Sequence, residues 1–85
     1  MPSTKISDYD FDSAYLRLLE VYGVKNQENL AKRLGIKPSS VYGARKNGRI
    51  PAAWLLKAFT SLRINPKWVL YGRRHHKYVK EVDEL

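Results

Sequence analysis

Four glycines and three prolines cut this chain into pieces too short for anything but small helices. Gly23, Gly35, Gly48 and Gly72 each lie just past an apolar series, and Pro38, Pro51 and Pro66 stand where a new one begins. Proline tolerates the first turn of a helix and breaks its interior, because it lacks an N–H and its φ is set near the helical value. Glycine ends helices by turning left-handed without a Cβ clash. Between these marks apolar residues recur at spacings of three and four, not two. Ala14, Tyr15, Leu18, Leu19 and Tyr22 make the first series, running from 12 or 13 to 22, with Asp12 as its cap and Phe11 ahead of the cap to pack back on Tyr15. Asn26 caps the second, whose inward face is Leu30, Ala31 and Leu34. The third runs from about 38 to 46 with Asn47-Gly48 as its stop, and offers only Val41 and Ala44 to a core. The fourth, opened by Pro51, carries Ala52, Trp54, Leu55, Leu56, Ala58 and Phe59, so it is expected to be the central core helix, ending over 60–63. Asn65-Pro66 opens a short fifth through Trp68, Val69 and Leu70. The expected fold class is all-α, a compact five-helix bundle with a short C-terminal extension.

At 85 residues the chain fits one small domain, and burial at this size demands an economical core. It has no cysteine, which excludes disulfide staples and thiolate metal sites and fits a reducing compartment. Hydrophobic residues make up 44% and charged ones 28%, the balance of a folded domain and not of a disordered one. No apolar run reaches the roughly 18–20 residues a membrane span requires. Asp8, Asp10 and Asp12 near the N-terminus are unlike a signal peptide, so a cytoplasmic location is expected. Expected boundaries are a flexible segment over 1–10, the folded domain over 11–72, and a basic-then-amphipathic tail over 73–85. That tail closes on Val79, Val82 and Leu85, spaced three apart, and serves as a short helix, a linker or a dimer contact.

Charge then narrows the partner. Lys and Arg exceed Asp and Glu by sixteen to eight, a formal net charge of +8, which attracts polyanions. Thirteen of the sixteen lie between Lys32 and Lys80, a stretch without one acidic residue. Within it the second and third helices, separated by a turn containing Gly35, match the helix-turn-helix unit, whose second member lies in the major groove of DNA. Ser39 and Ser40 are small enough to let the backbone approach base edges, and their hydroxyls both donate and accept. Arg45, Lys46 and Arg49 carry long cationic side chains that reach phosphates or guanine.

The runs Gln27-Glu-Asn-Leu-Ala-Lys-Arg-Leu-Gly-Ile, Ser39-Ser-Val, Gly48-Arg-Ile-Pro and Leu62-Arg-Ile-Asn-Pro-Lys-Trp-Val-Leu-Tyr-Gly together resemble the DNA-binding domain of bacteriophage CI-type repressors, within the lambda repressor-like family. The resemblance spans 12–72. It implies a five-helix domain that binds a pseudo-palindromic double-stranded DNA operator as a homodimer. A C-terminal domain usually supplies dimerisation and sometimes regulated self-cleavage, so this chain is expected to be a fragment or a minimal repressor. Carried over by motif, Gln27 contacts a phosphate and buttresses the third helix, Ser39, Ser40, Gly43 and Lys46 face the groove, and Asn47 meets the DNA backbone. Pro38 replaces a polar reader found in many relatives, which shifts base reading onto Ser39, Ser40, Tyr42, Gly43 and Lys46. Phosphate contacts fall to Gln27, Arg45, Asn47 and Arg49.

Each residue has a plainer alternative. Gln27 is also a normal helix-start residue, Ser39 and Ser40 are also first-turn residues, and Tyr42 is also placed to pack its ring on the core rim. Trp54 and Trp68 are expected in the core, and Lys32 and Arg33 at the surface. His75-His76 are two adjacent ligands without a third, which makes no metal site, although an auxiliary phosphate contact suits them. There is no thiol nucleophile, no base close in sequence to Ser39-Ser40, no His/Asp/Glu cluster with ligand spacing and no phosphate-cradling glycine loop, so neither a cofactor nor an enzymatic activity is expected. The competing functional class is a protein-interaction adaptor that keeps the fold and docks a partner through the 79–85 row.

Overall fold

The structure, a computed structural model, describes residues 9–79. Helices α1 (Phe11–Tyr22), α2 (Gln27–Leu34), α3 (Pro38–Asn47), α4 (Ala52–Leu62) and α5 (Pro66–Tyr71) follow in order, then a 3-10 turn at Gly72–Arg74. Among the described residues there is no strand, only an isolated antiparallel bridge between Ile64 and Tyr78. The all-α five-helix expectation holds.

Local chemistry explains most helix ends. The Asn26 side chain accepts from the Asn29 amide at 2.9 Å and starts α2, and Asn65 does the same for α5 through the Lys67 amide at 3.0 Å. Gly23, Gly35 and Gly48 close α1, α2 and α3. The start of α1 differs from expectation. Asp10, not Asp12, is its cap, accepting from the Ser13 amide at 3.0 Å and the Ser13 hydroxyl at 2.6 Å. Those two bonds hold its carboxyl below the usual value. Asp12 therefore lies inside the first turn, and Phe11, now the first helical residue, stacks on Tyr15 one turn along, with ring centroids 5.7 Å apart. The earlier start also lets Tyr9 reach the loop before α4, where its hydroxyl accepts from the Ile50 amide at 2.8 Å. Tyr9 is thus packed against the core, and the exposed Asp10 joins the domain as the cap of α1.

The core is organised around α1, not α4. Helix α1 buries Ala14, Tyr15, Leu18, Leu19 and Tyr22, against α2's Leu30, Ala31 and Leu34, α3's Val41 and Ala44, and Ile50, Ile64 and Val69. On α4 only Trp54 and Ala58 are buried, while Leu56 is 60% exposed. An apolar-all-round helix predicts burial on every side, but α4 crosses the outside of the bundle and has neighbours on one side only. Trp68 is half-buried instead of enclosed, with the Lys77 ammonium 5.1 Å from its ring.

The chain beyond α5 turns back on the domain. The Asn65 amide donates to the Lys77 carbonyl at 2.8 Å and the Val79 amide to the Arg63 carbonyl at 2.9 Å. The Asn65 side chain adds a bond to the His76 carbonyl at 3.0 Å. Residues 75–79 therefore lie along 63–65, which the three-residue spacing of the tail gave no sign of. Val82 and Leu85 lie outside the described residues. Arg63, at the hinge of this arrangement, closes α4 with φ 59°, a conformation ordinarily left to glycine or asparagine.

Burial pushes the Tyr15 and Tyr22 phenols above their ordinary value near 10, against the pull of Arg45 and Arg33 respectively. A raised folded value means that the folded state holds the proton more tightly than the unfolded chain. The stabilisation is therefore complete below about pH 10 and is lost as pH rises through the raised values. The Tyr22 hydroxyl has no hydrogen-bond partner among the described residues. Tyr22→Phe is accordingly expected to be neutral or stabilising at pH 7 and to flatten the alkaline decline, read as denaturation midpoints between pH 7 and 11. A loss of more than about 1 kcal/mol at pH 7 would mean that the hydroxyl is satisfied.

Candidate nucleic-acid interface

Because Val41 and Ala44 take up the inner side of α3, its other residues stand outside the core. Ser39, Ser40, Tyr42, Lys46 and Asn47 are all exposed, as is Arg49 just past the helix, and Tyr42 keeps 58% of its surface. Among the described residues, the side chains of Ser39, Ser40, Lys46, Asn47 and Arg49 have no hydrogen-bond or ionic partner. Their polar groups remain available to a ligand. Helix α3 starts on Lys37 without a side-chain cap and without an acid in its first turn, so its positive end is not neutralised from within.

Gly43 sits mid-helix, where glycine costs about 1 kcal/mol relative to alanine. A Cβ there would meet nothing within 4 Å, so packing within the domain does not require glycine at this position. Asn47 and Arg49 share a shallow groove of about 480 Å³ with Ala44 and Pro51 at the far end of α3. The loop bearing Arg49 is held by the bond from the Ile50 amide to Tyr9.

Gln27, the first residue of α2, is half-buried, and its side-chain oxygen accepts from Arg45 Nη1 at 2.7 Å. The Arg45 guanidinium at the same time lies 5.1 Å from the centroid of the Tyr15 ring. Of the four residues expected at phosphates, Gln27 and Arg45 are thus joined to each other, and Asn47 and Arg49 stand apart from them. Spacing gave no signal for Tyr15 beneath Arg45, nor for Phe11 and Asp12, which line a second groove of about 290 Å³ with Tyr42, Arg45 and Lys46. His75 lies against Tyr71, with ring centroids 5.8 Å apart.

The family model for the bacteriophage CI repressor helix-turn-helix domain matches residues 14–77. The chain belongs to that family. The CI-type match takes in α1 from Ala14, the α2–α3 unit, α4, α5 and most of the returning segment to Lys77, so the segment beyond Gly72 is part of what the family shares. Comparison with curated proteins and comparison with solved structures each return no match. The CI-type domain is a DNA-binding repressor domain and its family is not one of enzymes. No helix among its described residues is long and apolar enough to cross a membrane.

Proposed function

We propose that this CI-type domain represses by occupying an inverted-repeat operator as a homodimer, each copy placing α3 in the major groove of one half-site. The observation that carries this is the exposed face of α3, with Ser39, Ser40 and Lys46 exposed and without side-chain partners among the described residues. Ser39, Ser40, Tyr42 and Lys46 read base edges, and Gly43 lets the helix backbone come close. Gln27 at the start of α2, with Asn47 at the end of α3 and Arg49 just past it, meets phosphates on either side.

Selection of bound duplexes from a randomised pool at near-physiological salt tests the reading directly. The expected product is an inverted repeat with half-site centres one helical turn apart, roughly 34 Å, or a multiple of it. On the recovered site, Lys46→Ala is expected to relax base preference by about 1–3 kcal/mol. Arg49→Ala should weaken binding to every duplex alike and lower the salt slope by about one phosphate. Equal effects of both substitutions on recovered and random DNA would remove the division of roles, and recovery of no duplex above background would remove the reading itself.

Gly43→Ala separates folding from function. Stability is expected to rise by about 0.5–1 kcal/mol, because the helix gains and nothing is struck, while affinity for the recovered site falls. Denaturant midpoints and binding isotherms on the same protein check both. Unchanged affinity in the stabilised variant would take Gly43 away from the interface.

A further inference from the structure

The bond between Arg45 and Gln27 occupies the end of the glutamine that a phosphate could not use. A phosphate oxygen only accepts hydrogen bonds, and an amide side chain offers one accepting oxygen and one donating nitrogen. Gln27 commits its oxygen to Arg45 Nη1 at 2.7 Å, which leaves the NH₂ group, with its two donors, on the side away from Arg45. The guanidinium is itself fixed from a third helix. It lies 5.1 Å from the centroid of the Tyr15 ring, Tyr15 is only 8% exposed, and Phe11 stacks on Tyr15 at an interplanar angle of 16°. A run of contacts from Phe11 through Tyr15 and Arg45 to Gln27 thus links α1, α3 and the first turn of α2.

Resting on the DNA reading above, we propose that Arg45 is a positioning residue. It holds the Gln27 amide with its donors outward for a phosphate, and acts through Gln27 instead of by a phosphate contact of its own. Lysine cannot replace it. An ammonium keeps the charge but has no planar fork that stacks on a ring while directing one N–H sideways to the glutamine oxygen. Without the clamp, the amide turns its oxygen outward as readily as its nitrogen, and an oxygen facing a phosphate repels it.

The test is a double-mutant cycle on a duplex recovered by selection, with Arg45→Lys, Gln27→Ala and the pair, each measured across a salt series. Because Arg45→Lys conserves charge, a direct phosphate contact predicts nearly wild-type affinity. Positioning instead predicts a loss of about tenfold for Arg45→Lys with an unchanged salt slope, a similar loss for Gln27→Ala, and no further loss in the double variant. In the free protein, the side-chain amide resonances of Gln27 should shift in Arg45→Lys while the thermal midpoint stays within a few degrees. Wild-type affinity for Arg45→Lys, or losses that multiply in the double variant, would overturn this assignment alone. A wild-type protein that binds no duplex above background would overturn the DNA reading and this assignment together.

Discussion

Trp54→Ala is expected to lower stability by about 3–5 kcal/mol, the cost of emptying a large buried aromatic site. The ring is 5% exposed on the first turn of α4, and α4 buries only one other residue, the small Ala58. Leu56 points outward at 60% exposure and Leu62 at 36%, and Leu55 is already packed against the core, so α4 has little with which to refill the space. A domain of this size commonly holds about 5–15 kcal/mol in all, so the variant should be substantially unfolded at moderate temperature and at low denaturant. Circular dichroism against urea concentration measures it. A variant with the wild-type midpoint that has lost DNA binding alone would make the ring a surface contact and reverse the orientation of α4.

Gly72→Ala comes next in size, at about 3 kcal/mol, from two sources that act at one place. Gly72 has φ 83° and ψ −146°, a region essentially reserved for glycine. A Cβ there would also come within 3.1 Å of Arg17 Nη1 and 3.4 Å of its Cζ. Arg17 cannot yield without loss, since its Nε donates to the Val69 carbonyl at 2.7 Å and its Nη2 to the Leu70 carbonyl at 3.0 Å. Those carbonyls belong to the last turn of α5, where no backbone donor follows in register. Comparing Gly72→Ala in the wild-type and Arg17→Met backgrounds separates the sources. Backbone strain alone predicts the same loss in both, whereas the steric source disappears with the guanidinium.

What could be read from the residues was whatever is settled within a single turn. Asn26 with Asn29, Pro38 at the head of α3, and Asn65 with Lys67 all act over two to four positions, and these boundaries followed from side-chain chemistry. Asp10 and Asp12 show the limit. Both stand at the right distance to cap something, and the choice falls to Asp10 because Tyr9 then meets Ile50 from across the chain. Hydrophobic spacing shows which side of a helix is apolar but not which helix the others surround, so α1 and α4 were exchanged. The exposed face of α3 emerged by subtraction, as what Val41 and Ala44 leave over. The partner of Arg45 did not, because Gln27 is eighteen positions away and only the α2–α3 corner brings the two together.

The returning segment also sets an origin for anything attached behind the domain. Residues 76–79 are bonded to 63–65, so whatever continues the chain leaves the described body no earlier than Val79, beside the end of α4, and not at Gly72. Counting from Gly72 would overstate its extended reach by roughly 25 Å. Under the proposed two-copy reading of an operator, the effective concentration of linked copies would depend on that length, and loosening Asn65 or Arg63 would change it without touching α3.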